Sequence, residues 1–119
     1  MSNLTPVPFV YRATVTGVHD GDTVTITIDL GFDTALVGKA VRLAGINAPE
    51  LRTPAGKAAQ QWLCSRLVGK VITLQSFKDK TEKYGRILGD IWLDGVHINE
   101  EIVSAGHAVV WNGKGVRPV

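Results

Sequence analysis

The chain has 119 residues, 45% of them hydrophobic and 20% charged, and carries a net charge of +2. That is the make-up of an ordinary globular protein of one-domain size, long enough to bury a core without staples. One cysteine, Cys64, excludes an internal disulfide and a cysteine-rich metal site, no apolar run is long enough to cross a bilayer, and the weak positive charge permits an anionic partner without demanding one.

The opening MSNLTPVPFVYR has neither the basic start nor the apolar run of a signal peptide. A cytoplasmic location is therefore the default expectation, which a mature secreted chain would share. A single domain is expected over residues 1–119, with short flexible arms at about 1–8 and 112–119. From Phe9 to Val18 the composition is strand-like. Asp20-Gly21-Asp22 breaks that pattern as a turn, and Thr23 to Ile28 alternates hydroxyl and apolar residues, the mark of a half-buried strand. Asp29 to Gly38 reads as a glycine-flanked excursion containing Phe32, and Lys39 to Ile46 as a third strand running into a turn at Pro49.

Thr53 and Pro54 are expected to start a helix, with Thr53 as N-cap, Pro54 at the first helical position and Gly69 as the C-terminal cap of Ala55 to Val68. Cys64, beside Trp62 and Leu63, is expected to be a buried free thiol. Lys70 to Phe77 alternates again, and Lys78 to Gly85 is a polar, lysine-rich loop. Ile87 to Leu93 and Val96 to Ile98 flank Asp94-Gly95, a hairpin signal. Asn99 is expected to cap a short helix over Glu100 to Ala105, ended by Gly106. His97, in the hairpin, is expected to face solvent. The fold class expected is α+β, mainly β: a five-stranded barrel of the OB type with one helix after the third strand and a short helix near the C-terminus.

Three clusters at loops or strand ends hold the residues able to do chemistry: Asp20-Gly21-Asp22-Thr23, the stretch RLAGINAPE from Arg42 to Glu50, and Glu82-Lys83-Tyr84-Gly85-Arg86. Taken singly, each is a turn, a strand end or a solvated basic loop. Taken together they offer oxygen ligands for a hard cation in Asp22, the Asn47 amide and the Ala48 backbone carbonyl. Arg42 and Arg86 are guanidiniums suited to phosphate oxygens, and Glu50 is a carboxylate able to orient or deprotonate water. These are the parts needed to hydrolyse a phosphodiester, whose transition state gathers negative charge. Lys78, Lys80, Lys83 and Arg86 could further form a track for a nucleic-acid backbone.

DGDT, RLAGINAPE, EKYGR and DGVHINEEIVSAG, in that order, resemble the thermonuclease family, of which staphylococcal nuclease is the best-known member. The resemblance runs from about Val15 to Val110. It implies an OB-fold barrel and a nuclease using one calcium ion. Such an enzyme cuts single-stranded or unwound DNA and RNA with little sequence preference, attacking the 5′ P–O bond and leaving 3′-phosphate ends. It also implies roles: Asp22, with Asp20 before it, at the metal; Ala48 supplying a backbone carbonyl; Arg42 and Arg86 on phosphate; Glu50 as general base; Lys83 and Tyr84 on substrate. No obligate protein partner and no membrane is implied.

Three departures stand out. Asn47 occupies the place of a metal-binding aspartate, which predicts weaker calcium binding unless Asp20 or Asp29 compensates. The excursion from Asp29 to Gly38 is longer and the loop after Glu50 shorter than in staphylococcal nuclease. The chain stops soon after Trp111, without the family's long C-terminal helix, so the core is expected to hold without it or with a partner. A catalytically weak or inactive OB-type nucleic-acid-binding module with a degenerate metal site is the alternative.

Overall fold

The computed structural model describes residues 9–81 and 85–111, the side chains of 78–81 excepted. The arms expected at 1–8 and 112–119 lie outside the described residues. Ten elements follow in order: β1 (Val10–Asp20), β2 (Thr23–Gly31), β3 (Thr34–Leu43), β4 (Ile46–Asn47), α1 (Pro54–Leu67), β5 (Val71–Thr81), β6 (Ile87–Leu93), β7 (Val96–His97), α2 (Ile98–Ser104) and β8 (Val109–Val110).

Five of the strands close on themselves. β1 pairs antiparallel with β2 and β5, β2 with β3, and β5 with β6, while a parallel pairing of β3 with β6 completes the ring. Closure removes most of the open edges that a five-stranded sheet would otherwise present, and the result is the OB-type barrel expected. Alternation in the sequence sets what lies inside. Val24, Ile26 and Ile28 of β2 point inward with Ala13, Val15, Val41, Leu43, Ile72, Leu74, Ile91 and Leu93, while Thr25 and Thr27 stay half-exposed. Trp92, between Ile91 and Leu93, is accordingly on the outer face.

Helix α1 begins where the sequence puts it. The Thr53 hydroxyl accepts the Gly56 N–H at 3.0 Å, and Pro54 opens the helix, where a missing N–H costs nothing. Its buried residues Ala59, Leu63 and Leu67 repeat every four positions and cover the barrel. That spacing turns Cys64 about 100° away from Leu63, and the expected buried thiol is instead exposed.

Three further expectations are corrected. The excursion from Asp29 to Gly38 is a hairpin: β2 and β3 run on past the barrel to a two-residue turn at Phe32-Asp33. Asn99 does not cap α2, which starts one residue earlier at Ile98. It is buried inside the helix, where its side chain accepts the Ile91 N–H at 3.0 Å and donates to the Ala44 and Gly89 carbonyls at 2.9 and 3.2 Å. An asparagine at this place ties α2 to β6 and to the end of β3, a role no local pattern reveals.

His97 is not simply solvent-facing either. Its ring stacks on Trp92 at 4.8 Å, with Nε2 2.9 Å from Asp90 and Nδ1 2.7 Å from Glu100. Partial burial alone would lower its pKa, but the hydrogen bonds and charges of Asp90 and Glu100 outweigh it and hold the pKa above the ordinary 6.5. A raised folded-state pKa stabilises the protein fully below the unfolded value, and that contribution is lost as pH rises through the folded one. The urea midpoint is therefore expected to fall as pH climbs from 6.5 through the raised value. In His97→Gln that slope should flatten, with the two profiles closest at high pH.

Candidate active site

Three strand ends meet at one place on the barrel. Thr23, at the start of β2, is the cross-strand partner of Arg42 near the end of β3, and Arg42 is in register with Leu88 of β6. Arg86 lies two residues ahead of Leu88. Thr23 and Arg86, 63 positions apart in sequence, thus become neighbours through closure of the barrel.

The turn between β1 and β2 is held tightly against this junction. Gly21 is buried, and a Cβ there would come within 2.7 Å of the Cβ atoms of both Ala48 and Ala59. Only glycine lets the turn lie that close to the end of β4 and to α1. Asp22, next in the turn, is 5% exposed. Its Oδ2 accepts the Ala48 N–H at 3.0 Å and lies 3.5 Å from Arg42 Nη2, while its Oδ1 accepts the Thr23 hydroxyl at 3.3 Å. The same Thr23 oxygen accepts Nη1 of Arg86 at 3.0 Å. Arg42, Asp22, Thr23 and Arg86 form one chain of contacts. A carboxylate this buried would be costly alone, and the Arg42 guanidinium and two hydrogen bonds compensate it, with Arg86 reaching it through the Thr23 hydroxyl.

Arg42 is oriented by more than Asp22. Its Nη1 and Nη2 donate to the Leu43 and Ile46 carbonyls, each at 2.8 Å, so the guanidinium is clamped inside the turn from β3 to β4. Asp20 lies beside Asp22, accepting the Asp22 N–H at 3.1 Å. Burial, and after it the neighbouring Asp22 carboxylate, raises the Asp20 pKa above the usual range.

Asn47 is fully buried in β4, where it pairs with Val109 of β8, and Ala48 follows it. Glu50 comes two residues later at the surface, its side chain 2.6 Å from Nε of Arg52. Its backbone is fixed from below: the Glu50 carbonyl accepts the N–H and hydroxyl of Thr53, the N-cap of α1. A Cβ at Gly56 would overlap that carbonyl, so a glycine in the first turn of α1 is what lets Glu50 stand there.

Asp20, Asp22, Arg42, Ala48 and Arg86 therefore come together, with Asn47 adjoining and Glu50 on the same segment. Asp29 does not join them. It sits on the hairpin, seven residues beyond Asp22 and about 20 Å away at ~3.3 Å per residue, accepting the Gly31 N–H; it cannot compensate for Asn47. Lys83 and Tyr84 lie outside the described residues, as do the side chains of Lys78 and Lys80. Among the described residues no three His, Cys, Asp or Glu side chains converge. The oxygen donors at hand are the paired Asp20 and Asp22 carboxylates, next to Ala48, whose N–H binds Asp22, and the fully buried Asn47 that precedes it. An oxygen-only set with two like charges pressed together suits a hard divalent cation.

Thr23 is the residue the sequence did not single out. In the run Thr23, Thr25, Thr27 it looks like one of three equivalent outward hydroxyls, yet it is 3% exposed while the other two are half-exposed. Its only signal was membership of DGDT. Thr23→Val removes one hydrogen bond from each of two charged groups, which costs about 1–3 kcal/mol, whereas Thr23→Ser keeps both. Urea denaturation is expected to rank them wild type, Ser, then Val.

The Staphylococcal nuclease homologue family matches residues 40–117. That match begins just before Arg42 and leaves out the Asp20–Thr23 turn, which the fold brings to Arg42. "Probable staphylococcal-like nuclease CAN1" of Oryza sativa subsp. japonica is 36% identical over 78 residues, 66% of this chain and 23% of that protein. An "Uncharacterized endonuclease" of Escherichia coli is 33% identical over 106 residues, 88% of this chain and 64% of that one. "Staphylococcal-like nuclease CAN1" of Arabidopsis thaliana is 34% identical over 68 residues, 57% of this chain and 20% of that protein. The chain thus spans under a quarter of the plant relatives and just under two thirds of the bacterial one. With the family matched over more than half its length, on a closed OB-type barrel, the chain belongs to the staphylococcal nuclease homologue family.

Proposed function

We propose that this chain is a calcium-dependent nuclease that hydrolyses phosphodiester bonds in single-stranded or unwound DNA and RNA with little sequence preference, leaving 3′-phosphate ends. The observation that carries this reading is the contact chain Arg42–Asp22–Thr23–Arg86, which sets one guanidinium against a buried carboxylate and joins a second to it through the Thr23 hydroxyl. The names of the relatives, nuclease and endonuclease, agree with it.

Arg42 and Arg86 bind the non-bridging phosphate oxygens, and their fixed charge favours the transition state, where negative charge accumulates. Arg42 keeps its aim because the Leu43 and Ile46 carbonyls hold it. Glu50, held through its backbone by Thr53, takes a proton from the attacking water as oxygen adds to phosphorus. The P–O5′ bond then breaks, and the leaving oxygen takes a proton from solvent. Lys83 and Tyr84 are assigned to the substrate's terminal phosphate. Asp22, with Asp20, Asn47 and the Ala48 carbonyl, would hold one calcium ion, which when bound adds positive charge beside the phosphate. The alternative, a binding module that does not cleave, rests on Asn47: it brings no negative charge and has no exposed surface.

A calcium-titrated cleavage assay on single-stranded DNA and RNA separates the two. Cleavage is expected to vanish in excess chelator and return with calcium; activity surviving the chelator removes the metal from the mechanism. Phosphate-dependent binding without cleavage at any calcium concentration favours the module. Glu50→Ala should lower turnover about 10²–10⁴-fold while nucleotide binding, followed by calorimetry, is retained. Asn47→Asp should tighten calcium binding by the same calorimetric measure, and an unchanged affinity takes Asn47 off the ligand set.

A further inference from the structure

The connection from β4 to α1 is short. After Ala48 and Pro49 only Glu50, Leu51, Arg52 and Thr53 precede the first helical residue, Pro54. The Thr53 N–H bonds the Glu50 carbonyl at 3.0 Å, which closes residues 50–53 into a β-turn. The Thr53 hydroxyl donates to the same carbonyl at 2.7 Å and accepts the Gly56 N–H at 3.0 Å. One threonine therefore locks the turn and caps the helix, and Ala59, Leu63 and Leu67 fasten that helix to the barrel. Glu50 and Arg52 stand at the first and third positions of this fixed turn. Their side chains meet there, with Arg52 Nε 2.6 Å from Glu50 Oε2.

We propose, resting on the nuclease reading above, that Arg52 is a positioning residue for the reaction: it holds the Glu50 carboxylate in the orientation from which that group takes the proton of the attacking water. An ion pair this exposed adds little to stability, because ordering two long side chains offsets their attraction. At 84% side-chain exposure Arg52 also adds little to packing. What its contact changes is the freedom of Glu50. A glutamate side chain samples several rotamers, and a base that must meet one water loses rate in all but the productive one. A guanidinium donor carried two residues away, on backbone already fixed by Thr53, restricts that sampling. Arg52 thus acts through Glu50, whereas Arg42 and Arg86 act on the phosphate itself. An exposed guanidinium is also equipped to bind a neighbouring phosphate of the strand, and the two roles predict opposite changes in kcat and KM.

Steady-state cleavage of a single-stranded DNA oligonucleotide at saturating calcium tests this in the full chain. Arg52→Gln should lower kcat about three- to tenfold with KM and the urea midpoint unchanged. Arg52→Lys, which returns a cation within reach of Glu50, should recover part of the loss. In Glu50→Ala no carboxylate is left to hold, so adding Arg52→Gln should lower kcat no further. An unchanged kcat in Arg52→Gln overturns the proposal. A raised KM at constant kcat does so too, assigning Arg52 to a substrate phosphate, as does a loss that persists in the Glu50→Ala background or one matched by a lower urea midpoint. A wild type that cleaves nothing at any calcium concentration overturns the nuclease reading and the role of Arg52 with it. A wild type that cleaves, with Arg52→Gln its equal, overturns the role of Arg52 alone.

Discussion

The burial of the Asp22 carboxylate is the constraint on which the rest of this end of the molecule depends. A carboxylate at 5% exposure survives only if the chain brings it donors. They arrive from four places: Ala48 after β4, Thr23 at the start of β2, Arg42 on β3 and, through Thr23, Arg86 before β6. None of the strands that supply them could slip in register without breaking the set. The turn that carries Asp22 can reach this position only because Gly21 lets it press on Ala48 and Ala59.

The bend between β3 and β4 shows how far this polar organisation extends. Its four successive carbonyls are held by three donor residues. Arg42 takes those of Leu43 and Ile46, Asn99 that of Ala44, and the Trp111 N–H that of Gly45. A bend this closely satisfied is rigid, and rigidity here fixes where Asn47, Ala48 and Glu50 emerge. Asn99 thereby contributes to the bend, since it ties α2 to the Ala44 carbonyl.

Against this, the hairpin beyond Asp29 follows the other regime. Within the barrel β2 alternates, with Val24, Ile26 and Ile28 inside and Thr25 and Thr27 outside. Past the barrel the same β2–β3 ladder continues, yet no second layer covers it, and Leu30, Phe32, Leu36 and Val37 remain in water. The two halves of one ladder are thus separated into a folding unit and a protruding arm by nothing more than where β1 and β6 stop.

Much of this was legible in the residues themselves, because it is decided locally. Alternation named the inward positions of β2, Thr53, Pro54 and Gly69 bounded α1, and Asp94-Gly95 marked its hairpin. The motif strings identified the candidate site and the family. The tertiary structure alone decided what depends on partners distant in sequence. Asn99 looked like a cap but is a clamp, because its partners Ala44 and Gly89 lie on other elements. His97 looked exposed but bridges Asp90 and Glu100. Cys64 looked buried but falls off the Ala59–Leu63–Leu67 stripe, and Thr23 became distinct from Thr25 and Thr27 only when closure brought Arg86 over it. Sequence fixes which groups have the chemistry; which of them meet is set by a barrel that closes β3 onto β6, and no periodicity encodes that contact.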